Sequence, residues 1–161
     1  MQELSIAGIM LEPKSQSPIV VLKDQEGKRA LLIWVGEFEA NAILVGLQKI
    51  ALPRPLTHDL MLNGFKTIGA EPKLMRITEV RDNTFYAELE LEVNGQRIVL
   101  DSRPSDAIAL AVRAQIPLQV EDAVMETNSI PIASENEEEE TQKFHEFIEN
   151  VKPSDFGNLG S

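Results

Sequence analysis

The chain contains no cysteine among its 161 residues. That absence excludes a disulfide scaffold, a thiolate nucleophile, a zinc-thiolate site and an iron-sulfur cluster. No apolar run reaches membrane-spanning length, and the first residues show no secretory or transit pattern. A soluble, cytoplasmic protein with no membrane association is therefore expected. Basic residues are also few: 15 Lys and Arg stand against 26 Asp and Glu, a formal charge of -11. Nucleic-acid affinity comes largely from lysine and arginine releasing counterions, so such a partner would need a localised basic groove or a bound cation. The deficit is uneven. Residues 1–126 hold 13 basic and 18 acidic side chains and residues 127–161 hold 2 and 8, so over half of the excess lies in the tail.

What is present is organised around Val99 to Val120, VLDSRPSDAIALAVRAQIPLQV, where the hydrophobic period changes twice. Ile98, Val99 and Leu100 form a short apolar run that Asp101 to Asp106 interrupts with turn and cap residues. A helix begins there, with Ser102 or Ser105 as candidate caps, Pro104 in the first turn and Asp106 at the positive end of the helix dipole. Leu118 to Val120 reads as a further strand. Asp101, Arg103 and Asp106 thus gather where a strand meets a helix N-terminus.

Upstream, strands are predicted over Leu4–Leu11, Pro18–Leu22 and Arg29–Val35, with Asp24 to Gly27 as a hairpin turn. A helix follows from Gly36 to Leu47, with apolar Ala40, Ile43, Leu44 and Leu47 at helical spacing. A second helix starts near Thr57, its candidate cap, and stops at Gly69. Strands over Lys73–Val80, Thr84–Val93 and Gln96–Leu100 complete the body, the last two joined by the hairpin signal Asn94-Gly95. Gly27 and Gly95, and likewise Arg29 and Arg97, recur 68 residues apart, and the helix starting at Glu39 resembles the one at Asp106. The expected fold is α+β: internally duplicated hairpin-strand-helix units forming a mixed, mainly antiparallel sheet packed with helices, plus a C-terminal helix. The body spans residues 1–126. Residues 127–161 form an acidic linker and an amphipathic helix with Phe144, Phe147, Ile148 and Val151 on one face.

Two charged loops carry the reactive side chains. Pro53 to Leu60 holds Arg54, His58 and Asp59, and the organising stretch holds Asp101, Arg103 and Asp106. Capping and ion pairing account for single members. They do not require a body's lone histidine beside a carboxylate, or two Arg-Pro turns. Candidate catalytic residues are therefore His58, Asp59, Arg103 and Asp106. Arg54 and Arg103 are candidates to clamp a phosphate. Glu39, Asp59, Asp101 and Asp106, with Glu37 nearby, are oxygen donors suited to magnesium or manganese.

The segments IWVGEFEANAI, PRPLTHDL, FYAELEL and above all DSRPSDAIALAVR resemble the bifunctional nuclease domain family over roughly residues 4 to 126. KFHEFIENVKPSDF resembles the end of bacterial members. The resemblance implies an α+β fold and, from plant relatives described as acting on RNA and DNA, a nuclease. The mechanism that fits is phosphodiester hydrolysis dependent on a divalent metal ion, with nucleic acid as substrate. The alternative is a non-catalytic binding or regulatory module whose charged loops hold an anionic ligand or a protein partner. A homo-oligomer is expected for either, because edge strands and an apolar tail helix invite a partner.

Overall fold

The computed structural model describes residues 1–132. Strands β1 (Gln2–Leu11), β2 (Pro18–Asp24) and β3 (Arg29–Trp34) form an antiparallel meander that runs into α1 (Glu37–Leu47). After α2 (Thr57–Thr67), a second meander of β4 (Ala70–Arg81), β5 (Thr84–Val93) and β6 (Gln96–Ser102) runs into α3 (Pro104–Ala114). Then come β7 (Leu118–Val120), α4 (Asp122–Asn128) and β8 (Ile130–Pro131). All of these strands join one sheet in the order β6-β5-β4-β7-β1-β2-β3-β8. β4 and β7 pair in parallel and the other neighbours are antiparallel. The expected α+β fold with a mixed, mainly antiparallel sheet is what forms. Internal duplication is not established by it. The strand-strand-strand-helix order occurs twice, but α2 stands between the two units, and the β4–β5 ladder shifts register twice where the equivalent β1–β2 ladder shifts once.

The turns explain the hairpins. Asp24 Oδ1 accepts hydrogen bonds from the backbone N–H of Lys28 (2.9 Å) and Arg29 (3.2 Å), closing β2 onto β3. Asn94 and Gly95 both take positive φ, 51° and 76°, which is the backbone a two-residue hairpin needs between right-twisted strands. Alternation along β2 and β3 sends Val20, Leu22, Leu31 and Ile33 into the main core, with Ile43, Leu44, Met75, Ile77 and Ile108. Leu62 and Phe65 of α2 cover Leu89, Leu91 and Leu110 in a second cluster. α1 and α3 cross closely because position 46 has no side chain. A Cβ on Gly46 would lie 2.6 Å from Val112 Cγ2 and 2.9 Å from Arg113 Nη1.

Three local expectations are corrected. α3 starts after Arg103, with Pro104 as its first residue, so neither Ser102 nor Ser105 is the cap. The Ser102 hydroxyl instead donates to the Arg103 carbonyl (2.8 Å). α2 starts after Leu56 because Asp59, three residues on, accepts the Leu56 N–H at 3.0 Å, which puts Thr57 inside the helix. β6 runs on through Asp101 and Ser102, two residues past the Leu100 end that the sequence pattern predicts. Thr127 and Asn128 end α4, and Ile130-Pro131 pairs with Ala30 and Arg29 of β3. The tail helix over Phe144 to Val151 lies outside the described residues.

Candidate active site at three helix N-termini

The first turns of α1, α2 and α3 meet at one place, and each contributes a polar side chain there. Glu39 is the third residue of α1, His58 the second of α2 and Asp106 the third of α3, while Arg103 precedes α3. Arg103 ties two of the helices together. Its Nη1 donates to Glu39 Oε1 at 3.0 Å, and its Nε and Nη2 donate to Asp106 Oδ2 (2.8 Å) and Oδ1 (3.1 Å). Asp106 Oδ1 also lies 3.0 Å from His58 Nε2, which brings in the third helix. Acidic side chains in a first turn are favoured by the positive end of the helix dipole, so the two carboxylates sit where the backbone welcomes them. A Cβ on Gly36 would collide with the Glu39 carboxylate, so glycine just before α1 leaves room for that carboxylate.

Burial by itself would raise the Asp106 carboxyl. Hydrogen bonds from Arg103 and His58 outweigh it and hold the group below its ordinary value of 3.8. The bonds to Asp106 and then Glu39 push the Arg103 guanidinium further up, so it is always charged. A guanidinium has five N–H donors. Three are used in the bonds above, which leaves two for a ligand on a side chain that is 63% exposed. Arg103 is thus both pinned and available.

Two clefts flank this cluster. One, of about 380 Å³, is lined by Phe38, Asn41, His58, Arg103 and Asp106 among others. The other, of about 350 Å³, lies between Trp34, Phe85 and Pro104, with Glu39 and Arg103 at its wall. Trp34 and Phe38 are 53% and 70% exposed, one beside each cleft. Asn41 is the residue that sequence reasoning overlooked. It is 2% exposed, and its Oδ1 has no hydrogen-bond partner. A buried acceptor left unpaired costs about 1–3 kcal/mol. The signal was available, since Asn41 interrupts an otherwise aliphatic buried stripe of α1.

Of the sequence candidates, the structure brings together Glu39, His58, Arg103 and Asp106. Asp59 is held elsewhere, with Oδ1 accepting from Arg113 Nε at 2.9 Å and Oδ2 from the Leu56 N–H. Arg113 is 7% exposed and also donates to the Ala109 carbonyl, so this pair fastens α2 to α3. Asp101 stands on β6 opposite Glu88 of β5. Arg54 is exposed in the loop before α2. Glu37 opens α1. Among the described residues no group of three His, Asp or Glu side chains converges as a metal site. In this arrangement Glu39 and Asp106 already share the cation of Arg103, so the donor set does not fit a divalent ion as it stands.

Residues 20–133 match the model of the bifunctional nuclease domain. The chain is 38% identical to an uncharacterized protein of Mycobacterium tuberculosis over 164 residues, 97% of this chain and 98% of that one. It is 33% identical to Bifunctional nuclease 1 of Oryza sativa subsp. indica over 117 residues, covering 70% of this chain and 35% of the plant protein. Bifunctional nuclease 1 of Arabidopsis thaliana is 33% identical over 107 residues, 64% of this chain and 33% of that protein. The stretches 29–47, 53–60 and 101–114 that build the helix-terminal cluster all fall inside the matched region, and the chain belongs to the bifunctional nuclease domain family.

Proposed function

We propose that the chain is a nuclease that hydrolyses phosphodiester bonds of RNA, DNA or both at the cluster of Glu39, His58, Arg103 and Asp106. The single observation that carries this is the His58–Asp106–Arg103 contact: an imidazole and a guanidinium held by one carboxylate at the mouth of a cleft. Asp106 fixes the His58 ring through Nε2, which leaves Nδ1 as the basic nitrogen. In the proposed step, His58 takes a proton from water as the water oxygen bonds to phosphorus. The bond to the leaving oxygen breaks, and that oxygen takes up a proton. Water is the nucleophile because DNA has no 2′-hydroxyl to attack its own phosphate. The two spare N–H donors of Arg103 bind the non-bridging oxygens, where charge accumulates. Trp34 and Phe38 offer ring faces on which unpaired bases stack, an attraction that does not depend on a basic surface. That matters for a chain of charge -11.

The test is cleavage of single-stranded RNA and DNA by the full chain, titrated with magnesium, manganese and EDTA, beside Asp106→Asn purified identically. Dependence on magnesium or manganese is read in the same experiment. The proposal expects turnover in the wild type and a loss of about 10²- to 10⁴-fold in the variant, the range for a positioned acid-base pair. Activity equal in both would place the chemistry elsewhere. No turnover under any condition, with retained nucleotide binding, would favour the non-catalytic module.

A further inference from the structure

We propose that residues 144–151 of the tail dock on the outer face of the β1–β2–β3 meander, the face turned away from α1 and α3. The two halves of the sheet read differently there. β5 alternates strictly, burying Ala87, Leu89 and Leu91 and setting the more exposed Glu88, Glu90 and Glu92 on its other side, as a strand with water on one face does. β2 does not alternate. Pro18 to Leu22 are all buried, the unbroken apolar run of a strand covered on both faces. Val20 and Leu22 enter the main core beneath the helices. Ile19 and Val21 point the other way and form a separate cluster with Met10, Ala30 and Leu32. Ile19 and Val21 are each 3% exposed and Ala30 is 2% exposed. Neighbours on adjacent strands flank a side chain without lying over it. Among the described residues only Ile132 joins this cluster from outside the three strands. One side chain at the β3 edge does not cover a face three strands, or about 10 Å, wide.

The path of the chain selects the occupant. The Ile132 N–H donates to the Lys28 carbonyl at 2.8 Å, so the described chain ends on this face, beside β3. Extended, residues 133–143 reach up to about 36 Å, several times the width of the face. Directly after them Phe144, Phe147, Ile148 and Val151 recur at helical spacing. As a helix that stripe is about 10 Å long, which matches the three strands it has to cross. Charge agrees with this half of the sheet and not with the other. The glutamates at 135 and 137–140 leave past the β2–β3 turn, where Lys23 and Lys28 stand. On the β5 half of the same face Glu88, Glu90 and Glu92 would repel them. Trp34 lies opposite Ile19 and so stands on this face too, which sets the docked segment next to a ring assigned above to base stacking. The docking itself does not depend on the nuclease activity.

The test uses the full chain, whose lack of cysteine lets one introduced thiol carry a single nitroxide. Glu149→Cys places it on the polar side of the stripe. The methyl signals of Ile19, Val21 and Leu32 are expected to be lost beside the nitroxide, at every dilution, while those of Leu62 and Leu91 beneath α2 are kept. A mixture of nitroxide-bearing chains with methyl-labelled chains that carry no nitroxide should show no loss. Phe147→Asp, added to the nitroxide-bearing chain, should restore the signals and raise the fluorescence of a hydrophobic dye severalfold. Unmoved Ile43 and Ile108 methyl signals would show that its body stays folded. Ile19, Val21 and Leu32 signals that persist beside the nitroxide overturn the proposal. Loss in the mixture overturns the assignment to the chain's own tail, and loss that survives Phe147→Asp overturns the stripe as the anchor.

Discussion

Replacing Asp59 by alanine separates an anchoring role from a catalytic one. The substitution removes the carboxylate that accepts Arg113 Nε and the Leu56 N–H, at 2.9 and 3.0 Å. Arg113 would keep the Ala109 carbonyl, but its Nη2 is already buried without a partner, and its side chain is 7% exposed. A buried cation would lose its counter-ion. Losing one charged hydrogen bond costs about 1.5–3 kcal/mol and the helix-start bond about 1 kcal/mol. Asp59 is 37% exposed, so water screens part of the ion pair, and about 2–3 kcal/mol is the expected total. For a chain of this size that lowers the melting temperature by about 4–12 °C. Urea unfolding followed by circular dichroism at neutral pH reads it directly, with an unchanged slope showing that the folded state is otherwise intact. A loss under about 0.5 kcal/mol, within the range of ordinary surface substitutions, would refute the anchoring argument. Turnover measured well below the melting point should fall less than about tenfold. A loss of the size a general base or metal ligand gives, about 10²-fold or more, would return Asp59 to the chemistry.

Other substitutions test other links. Gly46→Ala should cost about 1–3 kcal/mol in urea unfolding, because the added Cβ meets Val112 and Arg113 across the α1–α3 crossing. Gly36→Ala should leave the melting temperature nearly unchanged yet lower turnover, since the new methyl displaces the Glu39 carboxylate from its place beside Arg103. Asp106 gives a pH signature. Its folded value lies below its ordinary 3.8, so the unfolded chain binds more protons in between. Stability from this group is complete above 3.8 and is lost as the pH falls through the lowered folded value. Asp106→Asn should remove that part of the acid slope in a series of unfolding midpoints. Trp34 is the only tryptophan and is half exposed, so its fluorescence should change when single-stranded RNA is titrated in. Phe38→Ala should weaken that binding by about 1–3 kcal/mol.

Local pattern made most of the elements legible. The break at Asp101 to Asp106 announced α3, and Asn94-Gly95 announced the β5–β6 hairpin, because each depends on neighbours a few residues away. What the pattern did not carry was where a charge points after packing. His58 and Asp59 are adjacent in sequence, but a helix turns successive residues about 100° apart, so one faces Asp106 and the other Arg113. The partner of Asp59 lies 54 residues on and becomes visible only once α2 lies against α3. Asp101 reads as a loop ligand when β6 is ended at Leu100, two residues too soon. Its continued pairing with Glu88 places it on the sheet instead. Arg103 could be seen as a phosphate clamp, but not as the link between Glu39 and Asp106, since that needs both helix starts in one place.

The central claim is that His58, oriented by Asp106, is the base in phosphodiester hydrolysis. Single-turnover cleavage of labelled single-stranded RNA by the wild type and by His58→Ala, purified side by side and matched for folding by circular dichroism, tests it most directly. The account predicts a rate lowered about 10²- to 10⁴-fold in the variant, with binding by Trp34 fluorescence retained. Equal rates from both proteins would contradict it.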